Sequence, residues 1–513
     1  MTERAQTCRL DILGLDDVVA VARHGARVDV DRAVAERVAD GRRVVEELAG
    51  SDLPVYGIST GFGALATVSI PPDRRAALQV SLIRSHAAGT GRCVDDEVVR
   101  AMMLLRLKTL ATGLTGVRPV VVETLARMLN AGVVPAVHEY GSLGCSGDLA
   151  PLAHVALAAM GEGWVSGPTG PVPAGQALTE AGITPLVLGE KEGLALINGT
   201  DGMLGMLVLA MRDLEDLVRI SDLTTAMTVE ALLGTDRVFA EDLIALRPHP
   251  GQARSASNIR RLLEGSAIVA SHRADTEHLV QDAYSLRCSP QVAGAARDTM
   301  AHARTVAERE FAATIDNPVV LSAGRVESNG NFHGAPVGYV LDFLAVAVAD
   351  LASISERRTD RMLDRTRSQG LPPFLGHEVG VDSGYMIAQY AAAGIVSTLK
   401  RLANPASVDS IPSSAMQEDH VSMGWAAGLK LRDAIDGLRR VLAIELLVAA
   451  RALDLRTPLQ PSPGTGAAVS ALRTVVPGPG RDEVVGEQIE RTVALVGSGA
   501  ILGAVEVVVG GLD

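Results

Sequence analysis

Residues 337–354 read VGYVLDFLAVAVADLASI, and Asp342 and Asp350 are their only charges. Apolar side chains recur at helical spacing (Val337, Leu341, Leu344, Val348, Leu351) and also occupy the remaining faces. A helix of this kind has to be covered all round. A bilayer would cover it, but two carboxylates at membrane depth are costly. Burial inside a bundle of helices is the cheaper solution. A second stripe, Leu431, Ile435, Leu438, Leu442 and Leu446, has the same spacing. Residues 97–112 and 202–220 read the same way, while alternating strand patterns are few and short. The expected fold is therefore mainly α, with a long-helix bundle body over 116–513 and a smaller mixed region over 1–115. Aromatic residues make up only 3% of the chain against 47% hydrophobic residues overall, so the core must be Ala, Leu, Val and Ile, which suits closely packed helices. Residues 492–512, with Glu506 as their one charge, are expected to form a buried C-terminal segment rather than a membrane span.

The formal net charge is −13, and no Lys/Arg block interleaved with aromatics appears. This argues against a nucleic-acid partner, which needs concentrated positive charge. The four cysteines, Cys8, Cys93, Cys145 and Cys288, form no C-x-x-C pair. So few scattered thiols fit a reduced compartment. The first residues, MTERAQTCRLDILGLDD, carry charges throughout and no apolar stretch. The expected location is the cytoplasm. There is no phosphate-binding G-x-x-x-x-G-K-[ST] segment and no H-E-x-x-H, and the histidines lack metal-ligand spacing, so no metal is expected. Gly497–Gly503 misses the dinucleotide-binding spacing by one residue. Asn198-Gly199-Thr200 is read as a chance glycosylation sequon.

The segment that carries chemistry is 138–154, HEYGSLGCSGDLAPLAH. Glycines and serines precede an apolar run, and Asp148 followed by Pro151 marks a helix start. A glycine-rich turn capping a buried helix explains this pattern without any chemistry. A Ser-Gly pair in a tight turn can also cyclise. The Gly147 nitrogen attacks the carbonyl carbon of Cys145, unhindered because glycine has no Cβ. Loss of one water closes a five-membered ring, and loss of a second from Ser146 leaves an exocyclic methylene. The product is a methylideneimidazolone, an electrophile made from Cys145-Ser146-Gly147 without an external cofactor.

GSLGCSGDLAPLAH closely resembles the signature of the aromatic amino acid ammonia-lyases, most of which carry Ala in place of Cys145. VYGISTGFG (55–63), RSHAAG (84–89), EGLALINGTDGM (192–203), QDAYSLRC (281–288), DNPVV (316–320), ESNGNFHGAP (327–336) and AMQEDHVSMGW (415–425) resemble further family segments, in family order. The resemblance covers about residues 10–510 and is nearest to the members that act on histidine. It implies a fumarase/aspartase-like helical architecture and a homotetramer with shared sites. It also implies elimination of ammonia from L-histidine to give trans-urocanate.

The resemblance also implies roles for single residues. Tyr56, in a glycine-rich stretch suited to a lid over the N-terminal region, would remove the β-proton; a phenol of ordinary pKa, about 10, must be activated to do so. Arg287 would hold the substrate carboxylate in a two-pronged contact. Asn198, Gln281 and Tyr284 would line the electrophile and hold the amine or the ring oxygen, with Phe332 packed beside it. Asp148 would assist ring formation. Glu418 and His86 would read the imidazole, because a buried carboxylate needs an N–H donor that a phenyl ring lacks. Each residue also has a plainer reading as a core or ion-pair residue. An aminomutase, a phenylalanine or tyrosine lyase, and a catalytically dead homologue acting as a binding protein stay open as alternatives. Met416, where many members have Asn, leaves the fine shape of the pocket open.

Overall fold

A computed structural model describes residues 7–50, 55–65, 67–273, 280–321 and 324–513. Twenty α-helices and four two-stranded ribbons are found among the described residues. By internal contacts the chain divides into two units, each assembled from three stretches. The first takes Met1–Leu209, Arg304–Asp342 and Pro405–Leu429. The second takes Ala210–Ala303, Phe343–Asn404 and Lys430–Asp513.

In the first unit, the Leu149–Ala159 helix packs against the Arg75–His86 and Glu192–Ile197 helices. Its residues Leu152, Ala153, Ala156 and Ala159 are fully buried. Small side chains let the neighbouring backbones approach closely. The Asp96–Leu110 helix is covered on almost every face: Val98, Ala101, Met102, Met103, Leu104 and Leu107 are fully buried, and so is Arg106. A short antiparallel ribbon pairs Thr90–Cys93 with His138–Tyr140 and leads into the turn before Leu149.

In the second unit, the expected stripe on the Gly424–Asp454 helix is buried: Leu431, Leu438, Leu442 and Leu446 have no exposure and Ile435 has 3%. Glu445, on the same helix, is fully buried among Thr224, Thr228, Ser355 and Arg358, all of which donate to it. An unpaired carboxylate there would be costly; the guanidinium and three hydroxyls satisfy it.

The Ala335–Leu363 helix is long and apolar enough to cross a membrane, and 61% of its most apolar stretch is buried inside the protein, as in a core helix. Residues 492–512 depart from the expected single buried segment. The Val485–Gly497 and Ala500–Val509 helices meet at a bend of 60°. Ile501, Leu502 and Val505 are buried against the Pro463–Leu472 helix, but Val507 is 87% exposed. Val508, on the same helix, is 49% exposed.

Candidate active site

The turn 144–147 is drawn tight by glycine. Gly144 and Gly147 have φ of 66° and 72°, the left-handed region that disfavours other residues. The backbone of Gly147 bridges to Gly144, Cys145 and Gly199. A Cβ on Gly147 would lie 2.1 Å from the Gly199 oxygen, so no other residue fits there. The Ser422 hydroxyl donates to the Gly144 carbonyl at 3.0 Å, and Met423 N–H to Leu143 at 2.9 Å. Backbones of residues 145 and 147 are thus held together with nothing on Gly147 to obstruct them. These are the conditions ring closure needs, and the residues present fit a methylideneimidazolone.

Asp148 stands at the N-cap position of the Leu149–Ala159 helix, but its side chain does not cap that helix. One carboxylate oxygen accepts Gly202 and Met203 N–H at 2.9 Å each, at the start of the Asp201–Ala231 helix, and the other accepts the Ser142 hydroxyl at 3.1 Å. Asp148 therefore binds the N-terminus of a neighbouring helix, where free N–H groups favour an acceptor. Full burial pushes its pKa up to about 7, against the lowering effect of these donors.

The Ser146 hydroxyl donates to Asn198 Oδ1 at 2.6 Å, and Asn198 Nδ2 donates to the Asn317 carbonyl at 2.8 Å. Behind Asn198 lies Arg106, fully buried, which donates to the carbonyls of Asn198 and Ile315 at 2.7 Å each and faces Asp201 at 3.4 Å. A fully buried ion pair, Lys191 with Asp316 at 2.6 Å, supports the same two chain segments.

Ser146 opens onto a cavity of about 620 Å³ that Tyr56, His86 and Glu418 also line. Tyr56 accepts the Gly63 N–H on its phenol oxygen at 3.2 Å and meets Phe62 edge to face. Its pKa is raised, first by burial; the Gly63 N–H opposes the rise and the Glu418 carboxylate adds to it. His86 Nδ1 lies 2.9 Å from the Leu82 carbonyl and 3.0 Å from Ser85 Oγ. A proton on Nδ1 satisfies that carbonyl and leaves Nε2 as an acceptor. Burial lowers the pKa of His86, outweighing the Leu82 carbonyl and Glu418, so the ring is neutral at pH 7.

Glu418 takes the Ser413 hydroxyl at 2.9 Å, and backbone bonds between residues 413 and 418 close the loop. Inside the loop Ser414, Ala415 and Met416 have φ of 50°, 53° and 68°. Three consecutive non-glycine residues in this region cost roughly 1–3 kcal/mol each. Met416 itself is 69% exposed and does not line the cavity. The Cys145 thiol is half-buried; burial and then the Glu418 carboxylate push its pKa up to about 12. It is a thiol, not a thiolate, at neutral pH.

The other expected residues are placed differently. Phe332 is partly buried but does not line the cavity. Gln281, Tyr284 and Arg287 belong to the second unit. Gln281 is exposed and Tyr284 is 71% exposed. The Arg287 guanidinium lies 4.6 Å from the Tyr284 ring centre, and its buried Nε has no hydrogen-bond partner among the described residues. Sequence reasoning missed Arg106, Ser142, Ser413 and Ser422. Only Arg106 left a signal, as one arginine amid the apolar run MMLLRL.

A family model described as "Aromatic amino acid lyase" matches residues 13–474. A histidine ammonia-lyase from Streptomyces coelicolor is 62% identical, over 97% of this chain and 97% of that protein. Among solved structures, a tyrosine aminomutase from Streptomyces globisporus superimposes with a TM-score of 0.93 at 36% identity, covering 98% of this chain and 99% of that one. A histidine ammonia-lyase from Trypanosoma cruzi gives a TM-score of 0.89 at 37% identity, covering 98% and 95%.

Proposed function

This chain belongs to the aromatic amino acid lyase family and is a carbon–nitrogen lyase, and from that premise we propose that it eliminates ammonia from L-histidine to give trans-urocanate. The observation that carries the choice of substrate is the pairing of Glu418 and His86 in the cavity onto which Ser146 opens. One Glu418 oxygen is held by Ser413 and the Cys145 thiol also bonds the carboxylate, whose remaining lone pairs can accept an imidazole N–H. Neutral His86 offers Nε2 as a second acceptor. An imidazolium, with an N–H on each nitrogen, matches both acceptors and a neutral imidazole matches one, whereas a phenyl ring matches neither.

A methylideneimidazolone formed from Cys145-Ser146-Gly147 supplies an electrophilic carbon and an electron sink for the substrate amine. The chain's own side chains do the remaining work. Asn198, tied to Asn317, orients Ser146. Tyr56 takes the β-proton as its phenolate, which the Gly63 N–H favours at the phenol oxygen while burial and Glu418 oppose it. Gly61, Phe62 and Gly63 line the cavity, where a lid would limit the access of water. The first test is direct: incubate the pure protein with L-histidine and follow the ultraviolet absorbance of urocanate. Recovery of β-histidine instead would identify an aminomutase, and no product from histidine would reject the reading.

The working form we propose is a cytoplasmic homotetramer in which Gln281, Tyr284 and Arg287 come to each site from another copy of the chain. Arg287 would bind the substrate carboxylate, Tyr284 and Gln281 would face the electrophile, and Phe332 would pack beside it. Two observations support this reading. Arg287 carries a buried guanidinium nitrogen with no hydrogen-bond partner among the described residues. The Ala335–Leu363 helix also presents an exposed apolar row, Tyr339, Phe343 and Val346, at the spacing of a helix–helix seam. Refolding a mixture of Tyr56→Phe and Arg287→Ala chains should restore activity that neither has alone. Well-folded mixed oligomers that stay inactive would overturn the sharing.

A further inference from the structure

His154 lies in the Leu149–Ala159 helix, whose N-terminus follows the turn bearing Ser146. Its Nε2 accepts the Gly89 N–H at 3.1 Å. Gly89 is the third residue after His86, the last residue of the Arg75–His86 helix. The approach is close from two sides: a Cβ on Gly89 would stand 2.9 Å from His154 Nε2 and 3.2 Å from the Tyr140 carbonyl. A Cβ on Gly141 would in turn lie 3.1 Å from the Gly89 Cα. Gly89 is therefore held between the chain entering the Ser146 turn and the helix leaving it. His138 adds a second tie. It sits edge to face with His154 at 5.3 Å, and its Nδ1 donates to the Gly91 carbonyl at 3.0 Å.

We infer that His154 is a positioning residue for substrate recognition: by accepting the Gly89 N–H it fixes the segment carrying His86 against the helix that begins at the electrophile-forming turn. The inference rests on the reading of His86 as a contact for the substrate imidazole. His154 does not line the cavity, so its action on substrate passes through His86. Its role requires the neutral ring with the proton on Nδ1. Burial, with His138 alongside, pushes its pKa down to about 4, so Nε2 remains an acceptor at neutral pH. A histidine that merely filled space would be replaceable by leucine at no cost to recognition.

The test compares His154→Leu, which removes the acceptor, with His154→Gln, which keeps one. In His154→Leu, KM for L-histidine and Kd for urocanate should rise roughly three- to ten-fold, the effect of one lost neutral hydrogen bond. kcat should move less, and the mass deficit of two waters should remain. His154→Gln should recover most of the loss. In a His86→Leu background, adding His154→Leu should change KM by less than about two-fold, because the route through His86 is already gone. Unchanged KM in His154→Leu, full additivity with His86→Leu, or loss of the mass deficit would each overturn the inference. Failure of the wild type on histidine rejects the substrate reading instead and is read separately.

Discussion

The turn that carries Ser146 and the turn that carries Glu418 line one cavity, yet they are held in opposite ways. The first is gripped from behind. Gly147 lies against Gly199, Asp148 is buried on two backbone N–H groups, and Arg106 fixes Asn198 with no exposure of its own. The second stands on three consecutive left-handed residues and ends in an exposed Met416. A side chain on Gly147 has nowhere to go, whereas one at position 416 meets solvent. The proposed chemistry falls on the more tightly packed turn, and the proposed recognition on the more open one. The same division recurs in mutational terms: loss of the Ser146 hydroxyl or a side chain on Gly147 should abolish a step, and changes in the second turn should grade it.

The sharpest way to break that contrast is Ser146→Ala. The variant should fold, show the full unmodified mass, and lose roughly 10⁴-fold or more in turnover, the scale seen when a group central to covalent catalysis is removed. Intact-mass analysis of the wild type should show two waters missing. An active wild type at full mass would falsify the electrophile.

Glu418→Gln tests the other turn. Losing a charge-assisted hydrogen bond of about 1.5–3 kcal/mol should reduce kcat/KM for histidine roughly ten- to a hundred-fold, with the fold and the mass deficit intact. The variant also has a pH signature. Glu418 raises the pKa of Tyr56, so removing its charge eases formation of the phenolate. The rising alkaline limb of the rate should then move to lower pH. Unchanged kinetics and an unmoved limb would show that Glu418 neither reads the imidazole nor acts on Tyr56.

The smallest effect is expected where the two turns meet, at Cys145→Ala. The ring uses the backbone of residue 145, and burial and Glu418 hold the thiol protonated. The same mass deficit and activity within a few-fold of the parent should follow. A dehydrated, folded variant with no turnover would give the thiol a role after all.

The contrast also separates what the sequence discloses from what it hides. Helical spacing located the buried stripe of the Gly424–Asp454 helix and the Ala335–Leu363 helix, because a bundle core forces that periodicity. The 138–154 segment was legible because ring closure demands a fixed order of residues. The braces were not. Asp148 reads as a helix cap, and only folding shows that its carboxylate turns to Gly202 and Met203. Ser413 comes to Glu418 through a left-handed turn with no glycine or asparagine to announce it. His154 reads as one more residue in an apolar run, and its partner Gly89 is 65 positions away.

The bond between Ser146 and Asn198 has a lifetime of its own. In the proposed maturation that hydroxyl leaves as one of the two waters, which dissolves the contact that oriented it. Asn198 stays anchored through its nitrogen to Asn317, while its oxygen exchanges a partner from the chain for one from solution. An ammonium group arriving with a substrate is a donor of that kind. On that proposal the asparagine that orients Ser146 is the one released for use when the ring has formed, and a newly made chain would differ from a finished one in the company this oxygen keeps as well as in the ring itself.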